Sequence, residues 1–379
     1  MDKTEQSNKL RIASLPGRPL GFDGIPYINL FYDALLPHGI EQTMELLPTA
    51  AWLRQHHAEI DIVHLHWPEK IWRGEYTFLH RRAQALRGYY YFRKWLKPVL
   101  FPLGMRDLRN FLKACKVYDI KVVWTLHELT PHSSAGKIDK DGYALLANSS
   151  DMIISHSDCA SQQFISLYGN ADKLVLMKHG NFRTAYPAPR PRQQVLSELG
   201  LDPQFPTVCL LGALRKYKGI ELALEAVMQI SEHVQLIIGG VPLGDFPLEK
   251  TIDQVKQLPK ARIIPRPLSP QEFADLAAAS DAFLLPYQQI TTSGVMHAAF
   301  TFGCGIVATK LPYFEETMAV YPSCGCLAKS NSAEDFAQAI LDFFQIPKSQ
   351  RSKEIENINQ QSEWKIVIQP VAEKFRQWF

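Results

Sequence analysis

Runs of consecutive apolar residues alternate with helical patterns along nearly the whole chain. In the first half these runs are LRIAS (10–14), DIVHLHW (61–67), KVVWTLH (121–127), MIISHS (152–157) and LVLMKHG (174–180). Strands that are apolar at consecutive positions, rather than at every second one, are typical of sheets covered by helices on both faces. The pattern therefore predicts a parallel α/β sheet.

A proline-rich stretch, YPAPRPRQQ (186–194), interrupts this pattern, because closely spaced prolines fit neither a helix interior nor a central strand. A second series of strand-like runs follows: PTVCLLGAL (206–214), VQLIIGG (234–240), ARIIPRP (261–267), AFLLPY (282–287) and GIVAT (305–309). The sequence thus predicts two Rossmann-like, doubly wound domains in tandem. Ligands of such sheets bind at the carboxyl ends of the strands, which we expect to face a cleft between the domains.

The domain boundaries follow from these patterns. We assign residues 1–188 to the first domain and 189–355 to the second, and we expect residues 356–379 to form a helix that returns to the first domain. In the second domain, Ser269, Pro270 and Glu272 predict a helix that begins with a capping box.

Composition limits the functional classes. A chain of 379 residues exceeds one ordinary core, and 46% hydrophobic with 21% charged residues is typical of a folded protein. The net charge is +3, from 41 basic and 38 acidic residues, which is too balanced for extensive nucleic-acid binding. Any cationic function must therefore be local, and we expect no nucleic-acid partner.

Cysteine usage and hydropathy bear on the compartment. The six cysteines are scattered, and Cys324 with Cys326 form a CxC pair without a second pair to complete a zinc site. The first residues lack the apolar core of a signal peptide, and no run approaches the ~18 apolar residues of a membrane span. We expect a cytoplasmic protein, soluble or peripheral at a membrane, with no structural metal.

A cationic loop follows the strand at 206–211. Gly212 ends this strand and Gly219 begins the next helix, so that Arg215, Lys216 and Lys218 occupy the connection at the carboxyl edge of the sheet. Guanidinium and ammonium groups at this position suit a diphosphate. The alternative is a loop of solvated surface residues.

A second element at the same edge follows the strand at 282–287. The segment with Thr292, Ser293 and Gly294 predicts a helix start, whose free amides and hydroxyls suit an anion. Taken alone, this segment is better explained as a plain helix cap. Because both elements lie at one sheet edge, we predict a site for a nucleoside diphosphate.

At these positions the sequence resembles the GT-B glycosyltransferases, in particular glycosyltransferase family 4, also called glycosyl transferases group 1. The resemblance rests on a glycine-cation loop, a Ser-Gly helix start and a following G-x-x-x-V-A motif: Gly212, Leu214, Arg215, Tyr217, Lys218, Gly219, Ser293, Gly294, Gly303, Val307 and Ala308. DIVHLHWPE (61–69), WTLHELTPH (124–132) and MKHGN (177–181) look like the strand ends of the first domain of that family.

The resemblance implies transfer of a hexose from a UDP- or GDP-sugar to a glycan or lipid-linked acceptor, in polysaccharide or glycolipid assembly, without a cofactor or metal. The first domain would then face the acceptor, and the second would bind the nucleotide sugar. Arg215 and Lys218 would hold the diphosphate together with Gly212, Thr292, Ser293 and Gly294. Arg266 would lie near the base.

By the same resemblance His127 and Glu128, at a strand end of the first domain, are catalytic candidates, and His127 would contact the donor sugar. The alternative is a histidine satisfied by a neighbouring backbone group. His64 and His66 flank Leu65, and we interpret them as pointing to opposite faces of the strand, so that at most one belongs to the site.

The sequence departs from the family at one motif. The family pattern often has two glutamates where this chain has Ile290 and Ala298, which leaves the donor and the stereochemistry open. Asp23, in the loop after the first strand, is a candidate general base for an inverting reaction, or a turn former. Glu315 and Glu316 either contribute a carboxylate or serve their own helix start.

The stretch 80–97, HRRAQALRGYYYFRKWLK, carries six basic residues, no acidic residue and five aromatic ones after His80. This mixture suits an anionic membrane surface or a lipid-linked diphosphate acceptor. It is also compatible with single-stranded nucleic acid, or with a solvated helix that packs its aromatic residues on the sheet. We favour the membrane surface.

Two other functions fit the same pattern. A nucleotide-sugar 2-epimerase has a similar architecture and needs no acceptor surface. A non-catalytic nucleotide-binding scaffold would account for the absent glutamates at Ile290 and Ala298.

Overall fold

A computed structural model describes residues 9–18, 26–83, 89–129, 136–244 and 246–378, with the backbone alone at 83 and 89–94. Its contacts divide the chain into two compact units, Met1–Lys178 with Ile368–Phe379, and His179–Val367. Each unit has its own sheet and its own hydrophobic core.

Within the described residues, the first unit contains six parallel strands in the order β2-β1-β3-β4-β5-β6. They are β1 Leu10–Leu15, β2 Ile40–Glu45, β3 Ile62–Leu65, β4 Lys121–Thr125, β5 Met152–Ser155 and β6 Leu174–Leu176. The central strands β3 and β5 are buried along their whole length, which explains their continuous apolar sequences.

The helices of the first unit cover this sheet. They are α1 Pro26–Leu35, α2 Ala50–His56, α3 Glu69–Trp72, α4 Phe78–Ala83, α5 Tyr89–Val117, α6 Lys137–Ser149 and α7 Asp158–Tyr168, with 3-10 turns at Leu36–His38, His57–Glu59 and Ala171–Lys173. Phe111 and Phe164 are fully buried in the core. Burial of one such side chain contributes about 1.5–3 kcal/mol.

The second unit repeats this architecture with six described strands in the order β12-β11-β10-β7-β8-β9, all parallel. They are β7 Thr207–Leu211, β8 Gln235–Gly239, β9 Ala261–Ile264, β10 Ala282–Leu285, β11 Gly305–Ala308 and β12 Gly325–Leu327. Its helices are α8 Arg192–Glu198, α9 Ile220–Gln229, α10 Leu248–Lys256, α11 Pro270–Ala278, α12 Gly294–Thr301, α13 Pro312–Val320, α14 Ala333–Gln345, α15 Lys348–Gln361 and α16 Trp364–Val367, with a 3-10 turn at Lys216–Lys218.

Each sheet, as described, reverses its strand order at one point, and this point fixes where a ligand crevice can form. In the second unit the chain leaves β7 toward β8 and β9 and then returns to build β10 on the other side of β7. In the first unit the same reversal lies between β1 and β3. Connections diverge from the sheet at such a point, which opens a crevice at the carboxyl ends of the two strands.

The predicted capping box is confirmed. The Ser269 hydroxyl accepts a hydrogen bond from the Glu272 amide at 3.2 Å, and the Glu272 carboxylate accepts one from the Ser269 amide at 2.8 Å. Pro270 stands at the first helical position of α11, where its missing N–H is not needed.

The boundary between the units differs from the predicted one. The division falls at 178/179, not at 188/189, because the proline-rich stretch packs on the second unit. The Arg190 backbone amide and Nε donate to the Asp275 carboxylate at 2.8 and 2.7 Å, and the Tyr186 ring stacks on Phe273 at 5.1 Å.

The predicted single helix at 356–379 is divided among three helices, the end of α15, then α16 and α17 (Gln369–Arg376). Pro370 stands in the first turn of α17, a position compatible with a new helix start. The part from Ile368 onward belongs to the first unit, where α17 packs on β6.

Candidate active site

The loop after β7 is tied closely to its neighbours. A β-carbon on Gly240, which has φ +144°, would overlap the carbonyl oxygen of Gly212. A β-carbon on Gly219, which has φ +65°, would overlap the carbonyl oxygen of Pro286 at the end of β10. The backbone therefore approaches too closely for any side chain at these two positions, which joins the ends of β7, β8 and β10.

Lys218 and Val295 bring the two predicted elements together beside Gly212. A methyl group at the Gly212 β-carbon position would lie 3.6 Å from the Lys218 Nζ and 3.7 Å from the Val295 side chain in α12. The Lys218 ammonium also lies over the Tyr287 ring, 5.7 Å from its centre. The cationic loop and the start of α12 therefore meet at the reversal between β7 and β10.

The cations of this loop have no acidic partner among the described residues. Neither Arg215, which is exposed, nor Lys218, which is partly buried, forms an ion pair with any residue that the structure describes. Burial and the nearby Arg215 guanidinium lower the pKa of Lys218 to about 8. Positive charge held without a carboxylate in a partly dehydrated pocket favours binding of an anion.

Helix α12 begins at this pocket. The buried Ser293 hydroxyl accepts a hydrogen bond from the Met296 amide at 3.2 Å, so it serves as the cap of the helix. Thr292 lies just before it, with its hydroxyl 3.4 Å from the Tyr313 hydroxyl. Among the described residues no acceptor is recorded for the amides of Gly294 and Val295, as is usual in a first helical turn. These amides supply donors for an anion.

Two histidines that the sequence analysis did not select border the same helix start. The rings of His179 and His297 stack with centres 4.3 Å apart and planes within 7°. A β-carbon on Gly294 would lie 3.9 Å from the His179 Nε2, and the His297 Nε2 hydrogen-bonds the Tyr313 hydroxyl at 2.9 Å. His179 lies in the segment MKHGN, whose resemblance to a family strand end was the available sequence signal. Its pairing with His297 could not be predicted, because the two residues are far apart in the sequence.

The positions of the missing glutamates offer no carboxylate. Ala298 is buried on α12 with 3% of its surface exposed, and Ile290 is half-buried in the loop before it. Glu315 and Glu316 lie in the first half of α13, and the Glu315 carboxylate lies 3.6 Å from the Lys310 ammonium.

Arg266 lies apart from the pocket. It follows β9, two strands away from β7, and its exposed guanidinium donates to both Glu272 oxygens at 3.0 and 2.5 Å. This pairing lowers the pKa of Glu272 to about 2. The structure thus brings together the predicted loop and helix-start residues, whereas Arg266 is engaged with the cap of α11.

In the first unit a connected group of side chains lies at the ends of β3 and β4. The Tyr32 hydroxyl hydrogen-bonds the His64 Nδ1 at 2.9 Å and the His66 Nε2 at 3.1 Å. The far nitrogens of these rings continue the chain, from the His64 Nε2 to the Thr125 hydroxyl at 2.8 Å and from the His66 Nδ1 to the His127 Nε2 at 3.1 Å.

The expectation that His64 and His66 point to opposite faces is wrong. Their ring centres lie 4.1 Å apart and both rings bond the same tyrosine. Residues two apart on a strand share a face, whereas directly adjacent residues point to opposite faces. Both histidines therefore belong to this group.

His127 is the outermost member of the group. It is half-buried, its Nε2 bonds His66 rather than a backbone carbonyl, and the Trp67 ring stacks on it at 4.4 Å with planes within 14°. Glu128 follows it and is also half-buried. Asp23 lies outside the described residues.

Burial keeps these histidines neutral. It lowers the pKa of His64 to about 3, and it lowers the pKa of His66 and of His127 well below the usual value. It also lowers the pKa of His156, whose ring centre lies 5.8 Å from that of His127, to about 4. At neutral pH each imidazole therefore has one donor and one acceptor nitrogen.

Glu69, a carboxylate that the sequence analysis did not select, follows shortly after His66 in the sequence. Glu69 opens α3 directly after β3, and the Tyr143 hydroxyl donates to it. Burial, with the charge of Glu128 adding to it, raises the pKa of Glu69 to about 6 against the opposing hydrogen bond from Tyr143. The sequence signal was its position at a strand end in the segment 61–69.

No group of three or more histidine, cysteine, aspartate or glutamate side chains is arranged to hold a metal ion within the described ranges. All six cysteines are free thiols. Among the helices that the structure describes, none combines the length and apolarity that crossing a membrane requires.

Comparison with known proteins gives the class. Residues 205–345 match the family of glycosyl transferases group 1. Over 97% of this chain and 100% of the other, the structure resembles that of HepE from Anabaena, which was solved with UDP and glucose, with a TM-score of 0.69 and 15% sequence identity. The fold is therefore GT-B, as the sequence predicted.

Two curated relatives are similar in sequence. Alpha-maltose-1-phosphate synthase of Mycolicibacterium smegmatis is 26% identical over 155 residues, which are 39% of this chain and 40% of that protein. GDP-mannose:glycolipid 4-beta-D-mannosyltransferase of Xanthomonas campestris pv. campestris is 22% identical over 313 residues, 79% of this chain and 73% of that protein. The chain thus spans less than half of the first relative. The match over residues 205–345 and the similarity to these relatives confirm the predicted resemblance to the group 1 glycosyltransferases.

Proposed function

We propose that the protein transfers a hexosyl group from a UDP- or GDP-sugar to a glycan or lipid-linked acceptor, in polysaccharide or glycolipid assembly. The observation that carries this proposal is the meeting of Lys218 and the start of α12 beside Gly212, at the strand reversal of the second unit. Unpaired cations and free amides at one point suit a diphosphate. The names of the relatives agree in kind, since one uses GDP-mannose and a glycolipid.

In this proposal the charge on the departing nucleotide is stabilised by the chain itself. Arg215 and Lys218 contribute positive charge, and the amides of Gly294 and Val295 contribute donors at the positive end of α12. Groups already in place cost little reorganisation when charge develops on the leaving phosphate. We infer that the transfer needs neither a cofactor nor a metal ion.

The remaining roles are also proposals. His127 contacts the donor sugar, and Glu128 stands beside it as a second catalytic candidate. Asp23 is the candidate general base if the reaction inverts the sugar configuration. Arg266 contacts the base of the nucleotide, which requires that it leave or share its bond with Glu272.

Thermal unfolding in the presence of UDP, GDP, ADP and their sugars tests the donor site. A nucleotide at 100 times its Kd should stabilise the protein by roughly 2.7 kcal/mol. Arg215→Ala should abolish the shift. Lys216→Ala is the matched control, because Lys216 is the neighbouring exposed cation on the same turn, and it should retain the shift. Absence of a shift with every nucleotide, or equal loss in both variants, would refute the site.

Product analysis separates the alternative functions. Conversion of the nucleotide sugar without an acceptor would instead indicate a 2-epimerase. Binding without turnover of any sugar, which the absence of glutamates at Ile290 and Ala298 makes a specific concern, would indicate a scaffold. Transfer that requires an added acceptor supports the proposal.

We further propose that the first unit contacts an anionic membrane surface through residues 80–97 and their surroundings. Phe78 and Trp95 expose 72% and 82% of their surfaces, and the Arg82 guanidinium lies 4.7 Å from the centre of the Phe78 ring. Arg81 is exposed beside them. Exposed aromatic and basic side chains together suit the interface of an anionic bilayer.

Sedimentation with phosphatidylglycerol vesicles tests this surface. Alanine at Arg81, Arg82, Arg93 and Lys94 should abolish binding, because each basic residue near an anionic surface contributes about 1 kcal/mol. Alanine at Arg109 and Lys113, exposed cations further along α5, is the control and should leave binding unchanged. Unchanged vesicle binding in the first variant would refute the proposal that residues 80–97 contact the membrane. Binding to single-stranded nucleic acid, without binding to vesicles, would identify nucleic acid as the ligand of this stretch.

A further inference from the structure

We propose that the Tyr32 hydroxyl, acting through His66, sets which ring nitrogen of His127 carries the proton. Tyr32, His66 and His64 are positioning residues in this scheme. The importance of the effect for sugar transfer rests on the proposed function of His127, whereas the effect on the proton itself does not.

The geometry allows only ordered arrangements of protons. The Tyr32 hydroxyl carries one proton and lies within hydrogen-bond distance of two imidazole rings, His64 at 2.9 Å and His66 at 3.1 Å. The Ser14 side chain also forms a hydrogen bond with it. The hydroxyl can therefore donate to one ring at most, and a ring that does not receive its proton must itself donate to the hydroxyl oxygen. Each neutral imidazole in turn donates from one nitrogen and accepts at the other, so the choice passes along the chain.

Two arrangements direct the Tyr32 proton to one of the two rings. In the first, Tyr32 donates to His64 and accepts from the His66 Nε2, so that the His66 Nδ1 accepts the proton of the His127 Nε2. The outer nitrogen of His127, Nδ1, then has a lone pair and accepts hydrogen bonds. If the Tyr32 proton goes to Ser14 instead, both rings donate to the hydroxyl oxygen and His127 is protonated as in this first arrangement.

In the second arrangement every bond is reversed. His64 donates to Tyr32, Tyr32 donates to the His66 Nε2, and the His66 Nδ1 donates to the His127 Nε2. The His127 Nδ1 then carries a proton and donates. One hydroxyl thus decides whether His127 offers a donor or an acceptor to a sugar hydroxyl.

Burial of these residues favours a single arrangement of the protons over a disordered one. Tyr32, His64 and His66 are fully or almost fully buried, so an imidazole N–H without an acceptor, or a protonated ring, is costly there. Packing holds the rings in place, with Phe31 5.2 Å from Tyr32 and from His64, and Trp67 stacked on His127. The ring orientations are therefore fixed by packing, and the hydrogen bonds determine only the protons.

Nitrogen-15 NMR of histidine-labelled protein tests the proposal directly, because two-bond proton couplings distinguish the Nδ1–H from the Nε2–H form. His127→Gln and His66→Gln would assign the signals. In the unaltered protein we expect His127 in one form. In Tyr32→Phe, which keeps the ring but loses the hydroxyl, His64 and His66 are uncoupled and His127 should show a mixture of both forms. An identical His127 signal in both proteins would overturn the proposal.

Thr125→Val gives a second, directional test should Tyr32→Phe fold poorly. Valine cannot accept the proton of the His64 Nε2, so His64 keeps its proton on Nδ1 and donates to Tyr32. We expect the Tyr32 proton to pass to the His66 Nε2, as in the second arrangement, and His127 to carry its proton on Nδ1. A proton on the His127 Nε2 in this variant would overturn the proposal. Tyr143→Phe removes a buried tyrosine hydroxyl bonded to Glu69, and is the control that should leave the His127 signal unchanged.

Kinetics then separate this inference from the proposed function. Tyr32→Phe should lower kcat for sugar transfer about tenfold, the size of one hydrogen bond, while the affinity for the free nucleotide stays the same. If His127→Ala keeps full activity, the sugar role of His127 fails. The NMR experiment would still test whether Tyr32 sets the protonation of His127, whatever the outcome of this activity measurement.

Discussion

The two units share one sheet topology but place opposite chemistry at the point where the strand order reverses. At β7 and β10 the second unit presents Arg215 and Lys218 next to the first amides of α12. In the part of the chain that the structure describes, the two cations have no acidic partner and no acceptor is recorded for these amides. Near β1 and β3 the first unit presents neutral imidazoles joined by hydrogen bonds through Tyr32. The second unit thus presents positive charge at its crevice, whereas the first unit presents neutral nitrogens that can donate or accept hydrogen bonds.

The difference follows from what surrounds each group. The cations lie in a loop and a 3-10 turn, where water and an incoming anion can reach them. His64 lies on the buried strand β3, and His66 and His127 follow the ends of β3 and β4. An unpaired charge is costly in such surroundings, which favour neutral groups that are joined by hydrogen bonds. The same topology can therefore present different chemistry, depending on whether the polar residues lie in an exposed loop or at a buried strand end.

The contrast between a charged site and a neutral site would be contradicted most clearly if Arg215 and Lys218 were not needed for activity. We expect Lys218→Ala or Arg215→Ala to lower kcat/KM for transfer by about 100-fold or more, because each removes charge that stabilises the leaving nucleotide. Steady-state kinetics with the donor identified by thermal unfolding measures this. Lys216→Ala should lower kcat/KM by less than about threefold. Similar losses in all three variants would mean that the loop acts only through its net charge.

Stability tests how closely the backbone segments cross in the second unit. Gly240→Ala should lower the free energy of unfolding by about 3 kcal/mol or more, because its methyl group would meet a backbone carbonyl at positive φ. Gly136→Ala, at the exposed start of α6 in the first unit, should cost less than about 1 kcal/mol. Its methyl group would meet no atom of the described residues within 4 Å. Urea unfolding measures both, and equal losses would contradict the close crossing in the second unit.

The pH dependence sharpens the contrast between charged and neutral sites. Because the pKa of Lys218 is lowered to about 8, the free protein loses this positive charge as the pH rises through 8. Nucleotide affinity should therefore fall, by about tenfold one pH unit above that pKa if only the charged form binds. Calorimetric titration with UDP or GDP from pH 7 to 9.5 measures this.

Lys218→Arg is the control for that titration, because a guanidinium stays protonated throughout. The pH dependence should disappear in this variant. A slope that persists in it would assign the titration to another group.

The smallest effect is expected at Arg266. The proposed contact with the base replaces or shares the exposed pairing with Glu272, so its net free energy is small and Arg266→Ala should change nucleotide affinity by about twofold or less. Isothermal titration checks this value. A loss comparable to that of Arg215→Ala would mean that the contact with the base contributes far more than the pairing with Glu272 that it replaces.

Much of the fold could be predicted because its signals are local. Buried strands have continuous apolar sequences, and the capping box of α11 involves only Ser269, Pro270 and Glu272. The loop from Gly212 to Gly219 and the helix start at Ser293 were also identified from short motifs. The unit boundary was not, because prolines mark where regular structure stops but not on which core the stretch packs.

The sequence alone determined which residue types stand at the strand ends, since strand, turn and cap signals extend over only a few neighbours. Which of those residues meet was decided by the tertiary structure. Tyr32 joins His64 and His66 only because α1 packs beside β3, and His127 reaches His66 only because β4 pairs with β3. Strand order and helix packing are set by the whole core, and partners so distant in the chain leave no periodic trace in the sequence.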